Sequence, residues 1–399
     1  MCSPACGFAR GHLGTPVARI KGHGTLSPCW VRRTRRGSTW ENLDDERRTA
    51  GALSPTLEAQ REMVRIGKVF SAAGVEIVAR PYLVEDELSK LAQACSEDWI
   101  RWLGAEGLIS ADSDPISLEI LNGGKFYYSQ AAWGAVHPEH PCNVLKLRAR
   151  RGHASAASYG GAAHNDKNLE PGMELYRSPG SDWCVRLWEI PTELRLTGPI
   201  LVGDTVATGT TLVGVLGWLV EKMIAAGSVH DVHVFTIVGA SEWGAGDGGV
   251  IEKLKHVDTM LSKHGKALTV SFCNATFALD ANGTDLNPAP KKGAEWLPGA
   301  LEKTRKLVGS FPLEDMKCGV WDWGDRFTKP LHHLEEVLEH YEALANAPEY
   351  IVAGLRERIA ALQKRAREAG DDEALPSGKK PKSDLHRSPS KAGMKHDEA

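Results

Sequence analysis

No stretch of this sequence is long and apolar enough to cross a bilayer. The longest helix-like apolar run, Thr211 to Val220, stops at Glu221 and Lys222, well short of the ~20 residues a membrane helix needs. The expectation is a soluble chain with no membrane partner. An excess of one charge is also missing: 48 Lys and Arg stand against 51 Asp and Glu over 399 residues. That balance excludes a chain built as one large basic surface, so nucleic acid is not the expected partner. The eight cysteines, at 2, 6, 29, 95, 142, 184, 273 and 318, include no CxxC pair, which argues against a disulfide framework and a zinc module alike. Free thiols fit a reducing, cytoplasmic setting. Side chains of metal-binding type gather at His137-Pro138-Glu139-His140-Pro141-Cys142. Two prolines make that segment a loop, and no further ligands follow at a recognisable spacing. Acidic residues are absent from the first forty positions, which hold seven Arg or Lys. A transit peptide, an unstructured extension and a start codon placed too far upstream share that composition, so organellar targeting stands as the alternative to the cytoplasm.

Between the two ends, hydrophobic periodicity alternates between helical and extended. Thr56 to Ala73 carries Leu57, Met63, Ile66 and Phe70 on one helical stripe, and Glu85 to Leu103 continues with Leu88, Leu91 and Trp99. Ile116 to Leu121 and Asn143 to Leu147 read as short strands. From Pro199 the order is strand to Gly203, helix from Thr210 to Gly227, strand from Asp231 to Val238, helix from Val250 to His264, strand from Ala267 to Phe272. Such an order predicts an α/β fold, a parallel sheet flanked by helices. Two amphipathic helices, Leu331 to Leu344 and Glu349 to Glu368, close it as a hairpin. The expected organisation is an N-terminal extension over 1–50, a helical extension over 51–110, an α/β core over 111–330, closing helices over 331–370 and a disordered polar tail over 371–399.

The chemistry concentrates at Pro199-Ile-Leu-Val-Gly203-Asp204-Thr205-Val206-Ala207-Thr208-Gly209-Thr210-Thr211-Leu212. A buried strand ends in an acid, then a short Thr- and Gly-rich loop, then a helix. Free backbone N–H groups at a helix start can surround a phosphate, and Thr hydroxyls add donors. Gly209 lets the backbone approach a ligand closely. Asp204, at the strand's carboxyl end, suits sugar hydroxyls or a phosphate-bound cation. The lysine of a GxxxxGK[ST] loop is absent.

At these residues the sequence resembles the type I phosphoribosyltransferases, whose signature is a hydrophobic strand, one or two acids and a loop of the form xxxTGxT. Here Gly203 stands in the first acid's place and Asp204 alone remains, which is similar to the uracil branch. The resemblance implies a phosphoribosyltransferase-like fold and transfer of ribose 5-phosphate from phosphoribosyl pyrophosphate to uracil or a 6-oxopurine, releasing pyrophosphate. It further implies Mg²⁺ carried on the diphosphate and a homo-oligomer. Thr205, Ala207, Thr208, Gly209, Thr210 and Thr211 would bind the phosphoribosyl pyrophosphate, with Asp204 on the ribose hydroxyls.

Four further segments fall in the order the family requires. Asn122-Gly123-Gly124-Lys125 looks like a pyrophosphate loop, its paired glycines exposing N–H groups and Lys125 balancing charge. Tyr176-Arg177 is similar to the uracil branch's tyrosine-arginine pair, and the planar fork of Arg177 suits a diphosphate. Ser158 and Tyr159 are similar to a mobile loop that covers the active site in the hypoxanthine enzymes. Last, Gly319-Val320-Trp321-Asp322-Trp323-Gly324-Asp325-Arg326-Phe327 resembles the base-binding segment, where a flat ring could stack on Trp321 or Trp323. Catalytic roles thus fall to Lys125, Arg177 and Asp204. The rival expectation is a regulator that keeps the pocket without turnover, its basic patch Lys146-Leu147-Arg148-Ala149-Arg150-Arg151 serving as a binding face.

Overall fold

The computed structural model describes residues 31–33, 40–42, 64–121, 123–153, 171–177, 183–240, 249–279, 286–317 and 323–369. Two short strands, β1 (Val31–Arg33) and β2 (Trp40–Asn42), pair antiparallel in a unit of their own, Met1–Ser54. The rest of the expected 1–50 extension, and the 371–399 tail, lie outside the described residues.

In the second unit, Pro55–Ala399, the elements are β3 (Arg65–Val69), α1 (Ala72–Ala79), α2 (Glu85–Ala105), β4 (Ile116–Leu121), α3 (Ser129–Val136), β5 (Asn143–His153), β6 (Glu174–Arg177), β7 (Trp183–Trp188), β8 (Ile200–Gly203), α4 (Thr210–Ala225), β9 (Val232–Thr236), α5 (Val250–Ser262), β10 (Leu268–Cys273), α6 (Pro298–Val308), α7 (Trp323–Thr328), α8 (Pro330–Glu342) and α9 (Glu349–Ala369). The sheet runs β3-β10-β9-β8-β4-β5-β7-β6. Every pairing from β3 to β5 is parallel, and β7 and β6 complete that edge antiparallel. This is the expected α/β architecture, a mostly parallel sheet flanked by helices.

The central strands read as continuous apolar runs because both faces are covered. One face packs against α1 to α3 through residues such as Ile77, Leu88, Trp99, Leu103 and Phe235. The other packs against α4 and α5 through Val202, Val215, Leu219, Val234, Leu254 and Leu261. The closing helices are part of the first layer: Leu334, Val337 and Tyr341 of α8 and Ile351, Leu355 and Ile359 of α9 are buried in the same core as Ile77.

One expected element changes type. Residues 65–69, read within a helix over Thr56 to Ala73, form the edge strand β3, in register with β10 from Arg65↔Thr269 to Val69↔Cys273. Gly67 and Val69 turn inward, while Ile66 and Phe70 of the supposed helical stripe are 48% and 43% exposed. So short an apolar segment fits both periods, and pairing with β10 selects the strand. The 51–110 segment therefore contributes to the main sheet as well as to its helical layer.

Candidate active site

The sheet's connectivity sets where a ligand can enter. β4 continues through α3 to β5 on one side, whereas β8 continues through α4 to β9 on the other. The chain's direction of travel thus reverses between β4 and β8. At such a switch point the loops part and leave a crevice beyond the strands' carboxyl ends. The two flanking loops are the Gly123–Tyr127 turn after β4 and the Asp204–Gly209 loop after β8.

Asp204 stands at the mouth of this crevice. Its backbone N–H donates to the Phe235 carbonyl at 3.0 Å, continuing the β8–β9 ladder, and its Oδ1 accepts the Thr205 N–H at 2.8 Å. Enclosure by protein raises the carboxyl to about 7, and the Thr205 N–H works against that rise. A methyl group at Gly123 would sit 3.8 Å from Asp204 Oδ1 and 4.0 Å from Trp323 Cδ1. The β4 turn, the β8 loop and α7 therefore converge on one spot.

The loop ends at α4. Gly209, the N-cap residue, has φ +64° and offers no side chain to the first N–H groups of the helix. Those groups and the hydroxyls of Thr210 and Thr211 form a donor-rich end suited to an anion. Arg151 Nη1 donates to Thr208 Oγ1 at 2.6 Å, bringing a guanidinium to the same loop. Gly209→Ala is expected to cost about 1–2 kcal/mol of stability through its left-handed backbone alone. Its methyl group would also stand 2.8 Å from Val250 Cγ2. Urea unfolding measures the loss.

Other sequence candidates divide by place. Lys125 is exposed on the turn, its Nζ 4.6 Å from the Phe126 ring centroid. Gly124 packs so closely on β8 that a methyl group there would lie 2.9 Å from the Gly203 carbonyl. Arg177 lies on the edge strand β6, in register with Cys184 and, through it, Gly152. Its neighbour Tyr176 turns to the α4 side, against Gly217, so alternation directs Arg177 to the opposite sheet face. Arg151, on the α4 face, is an arginine that bonds Thr208 of the Asp204 loop. The basic patch splits by the same alternation. Lys146 pairs with Glu119 at 3.3 Å and Arg148 with Glu189 at 2.7 Å on one face, while Arg151 turns to the other. Asn122, Ser158, Tyr159, Trp321 and Asp322 lie outside the described residues.

The base-stacking expectation for Trp323 needs correction. Its indole is 3% exposed and packed against Phe327, at 4.9 Å, and Tyr127, at 5.6 Å between centroids. Phe327 in turn stacks on Phe126 at 4.2 Å. In this arrangement Trp323 anchors α7 to the β4 turn. Gly324 has open space around it, and Asp325 pairs with Lys329 at 3.1 Å. Arg326, read with the base segment, is fully buried and donates to the Leu83 carbonyl at 2.8 Å and the Arg80 carbonyl at 2.9 Å, fastening α7 beneath the end of α1. Tyr127 was missed by sequence reading. Fully buried, it lies against Gly203 with its hydroxyl 3.0 Å from Thr205 Oγ1. The glycine in place of a first acid was its only trace in the sequence. Among the described residues, no three His, Cys, Asp or Glu side chains gather as a metal site, the 137–142 loop included. No described helix is long and apolar enough to cross a membrane.

No family model and no curated protein matches the chain. Among solved structures it is similar to a hypoxanthine phosphoribosyltransferase from Staphylococcus aureus, with 13% identity over 37% of this chain and 65% of that one, TM-score 0.24. It is similar also to an adenine phosphoribosyltransferase from Trypanosoma brucei in complex with AMP, pyrophosphate and ribose-5-phosphate, with 9% identity over 46% and 64%, TM-score 0.27. A third is the hypoxanthine-guanine enzyme of L. donovani, with 13% identity over 49% and 83%, TM-score 0.25. The chain spans just under two thirds of the first two. With TM-scores this low, the matches bear on no residue of the site.

Proposed function

We propose that the chain transfers the ribose 5-phosphate of phosphoribosyl pyrophosphate to a nucleobase nitrogen and releases pyrophosphate. The observation that supports this most is the setting of Asp204. A carboxyl raised to about 7 stands at the switch point, between the Gly123 turn and the helix start at Gly209. An enclosed carboxylate of this kind gains from hydroxyl donors, and a ribose has them. In this reading Thr208 to Thr211 hold the 5′-phosphate, while the Gly123–Gly124 N–H groups and Lys125 receive the diphosphate. Arg151 adds a second cation. Breaking the C1–O bond gives the ring oxocarbenium character, and these fixed donors offset the charge that departs with the diphosphate.

Mg²⁺ is the proposed companion ion, brought in on the diphosphate, and Asp204 at the crevice is the carboxylate that would help to hold it. Bound there, it would supply Lewis-acid neutralisation of the leaving group. Uracil or a 6-oxopurine is the proposed acceptor, and a homo-oligomer the proposed assembly. The test is incubation with phosphoribosyl pyrophosphate, Mg²⁺ and a panel of bases while pyrophosphate is assayed. Release that depends on a base is expected. Binding without release would turn the reading to a non-catalytic regulator, and failure to bind would end it.

A further inference from the structure

Tyr127 is held at both ends. Its carbonyl accepts a hydrogen bond from Ser96 Oγ of α2, and its hydroxyl meets Thr205 Oγ1 at 3.0 Å. Between them the ring is walled by Phe235, edge-on at 6.2 Å, and by Trp323 at 5.6 Å. Gly203 makes the room: a methyl group there would clash with Tyr127 Cβ. So buried a phenol keeps its proton, as burial pushes it far above its ordinary range. The Thr236 side chain and the Ile237 backbone also act on this hydroxyl from the core side, while Thr205, its partner on the crevice side, gives its own N–H to Asp204 Oδ1 at 2.8 Å. Both polar groups of Thr205 are therefore committed, one to the core and one to the carboxylate at the crevice.

We infer that Tyr127 is a positioning residue that fixes the Thr205 rotamer, and through it the Asp204–Gly209 loop, in the conformation that receives an anionic ligand. Touching no ligand itself, it acts through Thr205. The consequence for binding rests on the proposed reaction. The consequence for the loop does not.

The experiment compares wild type, Tyr127→Phe, Thr205→Val and the double variant. Hydrogen–deuterium exchange on the ligand-free protein reads the loop directly. Tyr127→Phe keeps the ring's packing, so exchange at 204–211 should accelerate about 3–10-fold, the loss of the neutral hydrogen bond to Thr205, while the removed contacts to Thr236 and Ile237 lie on the core side. Titration with Mg²⁺ and phosphoribosyl pyrophosphate should show a similar rise in Kd for each single variant. The double variant should lose less than the sum of the singles, because both changes break the Tyr127–Thr205 contact. Unchanged loop exchange in Tyr127→Phe, or losses that simply add, would overturn the inference. Acceleration confined to the loop in a protein that binds no phosphoribosyl pyrophosphate would uphold it and overturn the proposed reaction instead.

Discussion

Asp204→Asn is expected to cut kcat/KM for phosphoribosyl pyrophosphate by about 10–150-fold while raising the melting temperature of the ligand-free protein at pH 8. In the proposed reaction the first effect follows from losing the charged hydrogen bond that Asp204 would make to the ligand, about 1.5–3 kcal/mol. The second follows from linkage. The Asp204 carboxyl stands at about 7 in the folded protein, against about 3.9 in an unfolded chain. A group raised on folding contributes stability that is fully present below the unfolded value and is lost as pH rises through the folded one. Wild type should therefore lose stability between about pH 4 and pH 7, and the asparagine variant should not lose that share. Near pH 4 the two melting temperatures should coincide, and above pH 7 the variant should lead by about 2–5 °C. Thermal melts across this range, beside steady-state kinetics at pH 8, read both effects. A variant that loses activity and stability together would place Asp204 in the packing of the loop and remove it from ligand binding.

The largest loss of stability is expected from Arg326→Met, about 3–5 kcal/mol. Arg326 is fully buried, and its guanidinium donates to the carbonyls of Leu83 and Arg80 and, at 3.5 Å, of Ile77. Methionine fills much of the volume but leaves buried carbonyl groups at the end of α1 without their donors, each costing about 1–3 kcal/mol. Lysine should recover little, since a single ammonium cannot reproduce the planar fork. His333 of α8 lies beside it and is kept neutral, pushed down to about 3 by burial first and then by the Arg326 charge. Urea unfolding of Arg326→Met, Arg326→Lys and wild type measures the effect. At a temperature where all three remain folded, the Michaelis constant for the base should stay within about twofold of wild type. A selective rise in that constant, with unfolding unchanged, would return Arg326 to the base site.

Much of this protein is legible without coordinates. The strand–helix–strand order from Pro199 to Phe272 carries its own periodicity, and each element formed within a few residues of its expected bounds. Local chemistry explains that success: apolar runs bounded by polar or Gly-rich turns have few alternatives once both sheet faces are covered. The course of the Asp204–Thr211 loop was readable for the same reason, since the strand end at Gly203 and the helix start after Gly209 are set within a few residues of one another. Tertiary structure alone decided everything that depends on partners far apart in the chain. Ile66 belongs to a strand because β10 lies beside it, about two hundred residues on. Arg151 reaches Thr208 because β-strand alternation turns it to the α4 face, a direction the basic run Lys146 to Arg151 does not reveal by itself. Trp323 and Arg326 are anchors because α7 folds back onto the β4 turn and the end of α1, where indole and guanidinium are enclosed. A residue's type determines which contacts it can make, while only the packed chain determines whether water, ligand or another side chain fills them. That is why Gly203 read as a missing acid in the sequence and proved, in the fold, to be the space that Tyr127 occupies.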